Sequence, residues 1–236
     1  MFYTLSILLF IFNDMRKLYH YPLCAFSRLV RIYLKEKALE HELVIDFPWN
    51  RKSVFSKHHV FSDIPTLVDQ DSVVLEGWYA IIEHLEQSVR ASSLLGATPK
   101  EKAESRRIVT LFNEMFFADI TKNIIFEKVI KKHMESSPPD SSRIRAGSSE
   151  IKKYFDYITC LVDSRNWLSG NEFSVADIAA AAQISCIDYI GSIGWDNYPS
   201  VKDWYVRIKS RPSFRDLLYD RIPNVAPPDY YSELDF

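Results

Sequence analysis

The spacing of apolar residues divides the chain near residue 88. Before that point short apolar runs alternate with helical stripes, and after it only helical spacing is left. Lys17–Tyr21 is short, aromatic and stopped by Pro22, which predicts a strand. From Phe26 the apolar positions are Phe26, Leu29, Val30, Tyr33 and Leu34, the i, i+3, i+4, i+7, i+8 signature of a helix ending near Lys35–Lys37. Leu43-Val44-Ile45 reads as a second strand, and its unbroken hydrophobicity implies burial on both faces. Residues 47–62 are irregular or weakly helical. Thr66-Leu67-Val68 and Val73-Val74-Leu75 flank the polar turn Gln70-Asp71-Ser72, a hairpin. Glu76-Gly77 then opens a helix with Trp78, Tyr79, Ile82 and Leu85 on its apolar positions.

Residues 88–99 carry Ser92-Ser93, Gly96 and Pro99 and read as a linker. From Lys100 a long stripe, Ile108, Leu111, Phe112, Met115, Phe116, Ile120, Ile124 and Val129, predicts one extended helix. Ser136–Ser149 is rich in breakers and reads as a mobile loop. Ile151, Tyr154, Phe155, Ile158 and Val162 mark a second helix. Ser174 is placed to cap a third, with Asp177 reaching back to the cap's own amide and Phe173 stapling against Ile178. The helix so opened is small and apolar on nearly every side, which predicts the buried centre of an all-helical domain. Val201, Trp204, Tyr205 and Ile208 mark a further helix, and a Pro-rich tail covers 223–236.

Composition adds constraints rather than elements. The chain has 236 residues, 47% of them hydrophobic and 25% charged, enough for a large core. A formal net charge of −2 supplies no global field toward nucleic acid or an anionic membrane. The three cysteines, Cys24, Cys160 and Cys186, are odd in number and widely spaced, so they suggest a reducing compartment rather than a disulfide framework or zinc site. His58-His59 has no supporting Cys or acid cluster, so no metal site is expected. Residues 1–13 are apolar, yet too few to span a bilayer, and no basic residue precedes them as in a signal peptide. Met15 reads as the start of the folded domain, with 1–14 a non-native start or flexible extension. Arg51 and Lys52, Arg106 and Arg107, and Lys131-Lys132 are basic groups on an otherwise near-neutral chain.

Two strands joined through a helix imply a parallel, right-handed crossover, and the hairpin adds an antiparallel pair. This is a thioredoxin-like arrangement over residues 15–88, followed by an all-α domain over 100–220 and a tail over 221–236. With Ile64-Pro65, Glu76 and Ser174-Val175-Ala176-Asp177 in this order, the α+β half and helical half together resemble the cytosolic glutathione S-transferase superfamily. The runs LYHYPLCAFSRLVRIYLKEK, FPWNR, RPSFRDLLYDRIP and PPDYYSELDF resemble a branch of it, the FtsZ-localised proteins of alphaproteobacteria. That branch has the transferase fold, acts in cell division, binds FtsZ polymers, is dimeric and has little or no glutathione chemistry.

The resemblance implies a site. Pro65 is expected cis, turning the Ile64 backbone outward to pair with glutathione. Glu76 and Gly77 stand where the family binds the γ-glutamyl end, the helix N-terminus facing its carboxylate and Glu76 its ammonium. The family pattern is Glu-Ser, so Gly77 removes a hydroxyl whose hydrogen bond contributes ~0.5–1.5 kcal/mol. Cys24 and Ser27 are candidates for the thiol-activating group at the start of the first helix, where the helix terminus lowers a thiol pKa. Tyr19 and Tyr21 stand near them, and Cys-Ala-Phe-Ser is not a redox Cys-x-x-Cys. The loop His58–Asp63 lacks the Asn-Pro and Gly that many transferases carry there. No cofactor is required, with glutathione as substrate or weak ligand. The expected function is FtsZ binding at the division site by a cytoplasmic homodimer with weak or no transferase activity. The alternative is a true transferase conjugating glutathione to small electrophiles. Neither nucleic acid nor a stable membrane anchor is expected, and the tail 230–236 is disordered or docks on a partner as a short peptide.

Overall fold

Strand β1 (Arg16–His20) lies inside a four-stranded sheet of order β2-β1-β3-β4. The structure, a computed structural model, describes residues 15–47, 49, 64–89, 91–135 and 137–234. The expectations for residues 1–14, for Arg51 and Lys52, for loop His58–Asp63 and for the last two residues of the tail therefore fall outside the described residues. β2 (His41–Ile45) runs parallel to β1, with Leu18 opposite Leu43. β3 (Thr66–Val68) is antiparallel to β1, with Leu18 opposite Leu67, and β4 (Val74–Glu76) is antiparallel to β3. Leu18 and His20 alternate with Lys17 and Tyr19 along β1, and the first pair is buried under helix α1 (Ala25–Glu36).

Two readings of this half change. β2 is not buried on both faces: Leu43 and Ile45 are 38% and 56% exposed, because β2 forms an edge of the sheet. Glu76 does not open a helix; it is the last residue of β4, paired with Thr66. Gly77 then takes φ 77° as the N-cap of helix α2 (Trp78–Ser88), a backbone turn that glycine makes at no steric cost.

The expected linker is cut short by a cap. Thr98 and Glu101 form a reciprocal capping box, and Pro99 occupies the first helical position, where its missing N–H is not needed. The helical run α3 (residues 99–134) begins with Pro99–Thr110 and passes through wide π turns at Leu111–Thr121 and Phe126–Ile130. Phe112, Phe116, Ile120, Ile124 and Val129 are buried as their stripe requires, whereas Met115 is 51% exposed. The expected loop at Ser136–Ser149 is mostly helix. Asp140 accepts from the Ser142 amide at 2.8 Å and caps α4 (Ser141–Val162). Gly147 is a close-packing site there: a Cβ would lie 3.0 Å from Ile124 Cγ1 of α3.

Helix α5 (Val175–Tyr189) is buried at every residue, the centre that its composition predicts. Its capping box is complete, with Ser174 Oγ accepting from Ala176 N at 3.2 Å and Asp177 Oδ2 accepting from Ser174 N at 3.1 Å. Asp177 Oδ1 also accepts from Leu168 N at 2.9 Å and Trp204 Nε1 at 3.0 Å, tying the cap to helix α6 (Pro199–Lys209). Phe173 meets the Trp167 ring edge-on and lies under the Arg211 guanidinium. α1 packs on α5 and on helix α7 (Pro212–Leu218), which joins the two halves. Arg211 forks onto Glu36 at 2.7 and 2.8 Å, and Arg31 onto Asp220 at 2.7 and 3.0 Å. Through Leu234 the tail is neither disordered nor a loose peptide: Tyr231 is fully buried within a 3-10 turn, Asp229–Ser232. Among the described residues no helix is long and apolar enough to cross a membrane.

Candidate functional site

The turn after β1, the start of α2 and one side of α3 enclose a cavity of about 640 Å³. Cys24, Ile64, Glu76 and Gly77 line it from the sheet half, as the sequence places them in one site. The Ile64–Pro65 bond is cis. Ser27 is not among the lining residues: it is fully buried, and its Oγ accepts from the Tyr21 amide at 3.3 Å. Ser174 and Asp177 belong to the α5 cap and also stand outside the lining.

Cys24 is the N-cap residue of α1, extended at φ −88°, and makes no side-chain cap bond. Its Sγ instead donates to the Ile64 carbonyl at 3.7 Å, within the looser range of sulfur. Burial pushes the thiol up, outweighing the Ser27 and Phe26 donors and the Arg28 charge that favour the thiolate. The helix terminus was expected to depress this pKa; desolvation is the larger effect, and the shift is upward. Tyr21, which also lines the cavity, is likewise shifted upward by burial.

The ligand-facing amides differ from expectation too. Gly77 N–H donates to the Pro65 carbonyl at 2.9 Å, continuing the β3–β4 pairing one residue beyond the strand. What faces outward at the start of α2 is the next turn, with no side-chain cap and no acid among its first residues. An uncapped helix start beside the Glu76 carboxyl suits a ligand carrying both a carboxylate and an ammonium.

The other wall was not legible from periodicity. Phe117, Thr121, Lys122, Ile125, Phe126 and Ile130 face the cavity from α3. Phe117 and Phe126 fall off the 3.6-residue stripe, and both lie in the π turns. A wider turn changes which residues share a face, so a count at helical spacing misplaces them. Phe26 is 4.7 Å from Phe117 between ring centroids, and it lies nearly parallel to Trp78 at 6.4 Å and 15°. The cavity thus has a polar end on the sheet half and an aromatic wall shared by both halves. Among the described residues no cluster of three or more His, Cys, Asp or Glu is arranged to hold a metal ion.

The glutathione S-transferase N-terminal domain family matches residues 18–93, and the glutathione S-transferase C-terminal domain family matches residues 122–219. The chain belongs to the glutathione S-transferase family. The thioredoxin-like half followed by a helical half is the transferase fold. It is similar to "FtsZ-localized protein A" of Caulobacter vibrioides (strain NA1000 / CB15N), 37% identical over 225 residues, covering 94% of this chain and 98% of the relative. Among solved structures, a glutathione S-transferase from Rhodospirillum rubrum F11 superposes with a TM-score of 0.91 at 40% identity, over 94% of this chain and all of that one. FzlA from C. crescentus superposes with a TM-score of 0.90 at 36% identity, over 94% of this chain and 100% of its own.

Proposed function

We propose that this transferase-fold protein is a cell-division factor that binds FtsZ polymers at the division site, working as a cytoplasmic homodimer with weak or no transferase activity. The observation that carries the reading is the end-to-end similarity to FtsZ-localized protein A, which leaves almost none of either chain unmatched. The state of Cys24 supports the low activity, since a partly buried thiol with a raised pKa, engaged with the Ile64 carbonyl, is a poor activator of a second thiol. Ser27 offers no alternative, because it is fully buried and outside the cavity lining. Two copies of one weak site would let a dimer hold a repeating polymer through avidity. Cosedimentation with assembled FtsZ tests the reading: the protein pellets with polymer, and its remaining in the supernatant at micromolar concentrations overturns it.

A second reading, a working glutathione transferase, draws support from the retained cavity with Glu76 and the open start of α2. Calorimetric titration separates the two. Weak or absent saturation by glutathione agrees with the first reading. Tight binding, with turnover of a chlorodinitrobenzene electrophile that is lost in Cys24→Ala, establishes the second.

A further inference from the structure

The turn that carries Cys24 is held from behind by a buried cation. Arg28 is fully buried on α1, and its Nε donates to the Pro22 carbonyl at 2.7 Å. Its Nη1 donates to Ser185 Oγ of α5 at 2.9 Å and to the Tyr231 hydroxyl at 3.1 Å. Asp220, the nearest acid, lies 3.8 Å from Nη2 and already accepts the two-pronged bond from Arg31. Arg28 is therefore fixed mainly by neutral acceptors, one from the cavity turn, one from the central helix and one from the C-terminal tail. The guanidinium is planar and rigid, so displacing one contact re-aims the others.

On its opposite side the same turn faces the cavity, through Tyr21, Leu23 and Cys24. We propose that Arg28 and Tyr231 are positioning residues for the cavity: the tail hydroxyl orients the guanidinium, and the guanidinium sets the turn that presents Cys24. The tail reaches the site without lining it. By reciprocity, anything that pulls the tail away loosens the cavity, and anything that locks the turn strengthens tail docking. This coupling is independent of FtsZ binding, since it concerns contacts within one chain.

Tyr231→Phe removes the hydroxyl and keeps the ring, which packs edge-on against Tyr189 at 5.1 Å and under the Lys209 ammonium. Cys24 reports the result through its rate of alkylation by iodoacetamide, read peptide by peptide by mass spectrometry in a Cys160→Ser background. Loss of one buried hydrogen bond to a charged group shifts a local equilibrium by roughly tenfold, so Cys24 should react about tenfold faster. Arg28→Lys, which keeps the charge and loses the fork, should do the same. Tyr219→Phe, at a side chain 74% exposed, should leave the rate unchanged. Because Cys186 Sγ itself donates to the Leu23 carbonyl of this turn at 3.5 Å, the fold is monitored instead by amide hydrogen exchange in α4, whose protection should be unchanged in every variant. Unchanged Cys24 rates in both Tyr231→Phe and Arg28→Lys overturn the proposal. So does loss of α4 protection in step with Cys24 labelling, which would reduce both residues to a general structural role.

Discussion

Helix starts in this molecule solve the same problem in opposite ways. α5 begins at Ser174 with a full capping box, and the Asp177 carboxylate there takes donors from three chain segments. α1 begins at Cys24 with no side-chain cap, and α2 begins at Gly77 with none either. The uncapped pair borders the cavity, whereas the capped starts of α3, α4 and α5 use Thr98, Asp140 and Ser174. A cap stabilises its helix by satisfying amides, and that same satisfaction removes them from any ligand. α6 and α7 also start without a side-chain cap, each with Pro in its first turn, and neither borders the cavity, so an uncapped start is open for recognition only where the cavity adjoins it, at α1 and α2.

Four measurements test that contrast. Asp177→Ala should have the largest effect, because it strands buried donors on Leu168, Ser174 and Trp204 together. A loss of about 3 kcal/mol or more is expected from the denaturant midpoint, and a loss below about 1 kcal/mol would erase the distinction. Gly77→Ser, which writes the common family residue ahead of α2, should cost about 1–3 kcal/mol at φ 77° and ψ 147°, a region that essentially only glycine adopts, despite open space around a Cβ. Thr98→Ala removes an exposed cap and should cost about 1 kcal/mol, well short of its buried counterpart. The last effect involves no change in stability: alkylation of Cys24 against pH should show a midpoint above the ordinary thiol range. The thiolate is the reactive form, so a raised pKa moves the profile to higher pH; a midpoint below the ordinary range would mean that the helix terminus outweighs burial.

Local chemistry was easy to read from sequence, and tertiary chemistry was not. Ser174 and Asp177 act on amides within three residues, so the motif alone implies the geometry. Thr98-Pro99-Lys100-Glu101 carries the same signal, but the neighbouring Ser-Ser and Gly96 make it look like a linker. Four serines and Gly147 likewise suggest a loop where α4 runs, because their low helix propensity is overridden by packing against α3. The absence of a side chain at Gly147 is what lets the two helices approach. On the cavity, the sheet-half residues Cys24, Ile64, Glu76 and Gly77 were legible by motif and order. The α3 wall was not, since its register depends on π turns that leave no simple trace in the apolar pattern.

The exposed strand β2 carries a consequence for handling the protein at high concentration. A sheet edge is a row of backbone donors and acceptors on which a strand from another molecule can grow. Leu43 and Ile45 would give such an added strand apolar neighbours. The edge is only five residues long, and Glu42 within it is paired with Lys17 at 3.5 Å. Shortness and that charge act as gatekeepers against stacking of one copy on the next, so replacing Glu42 with an aliphatic residue would turn a tolerated edge into a seed for self-assembly.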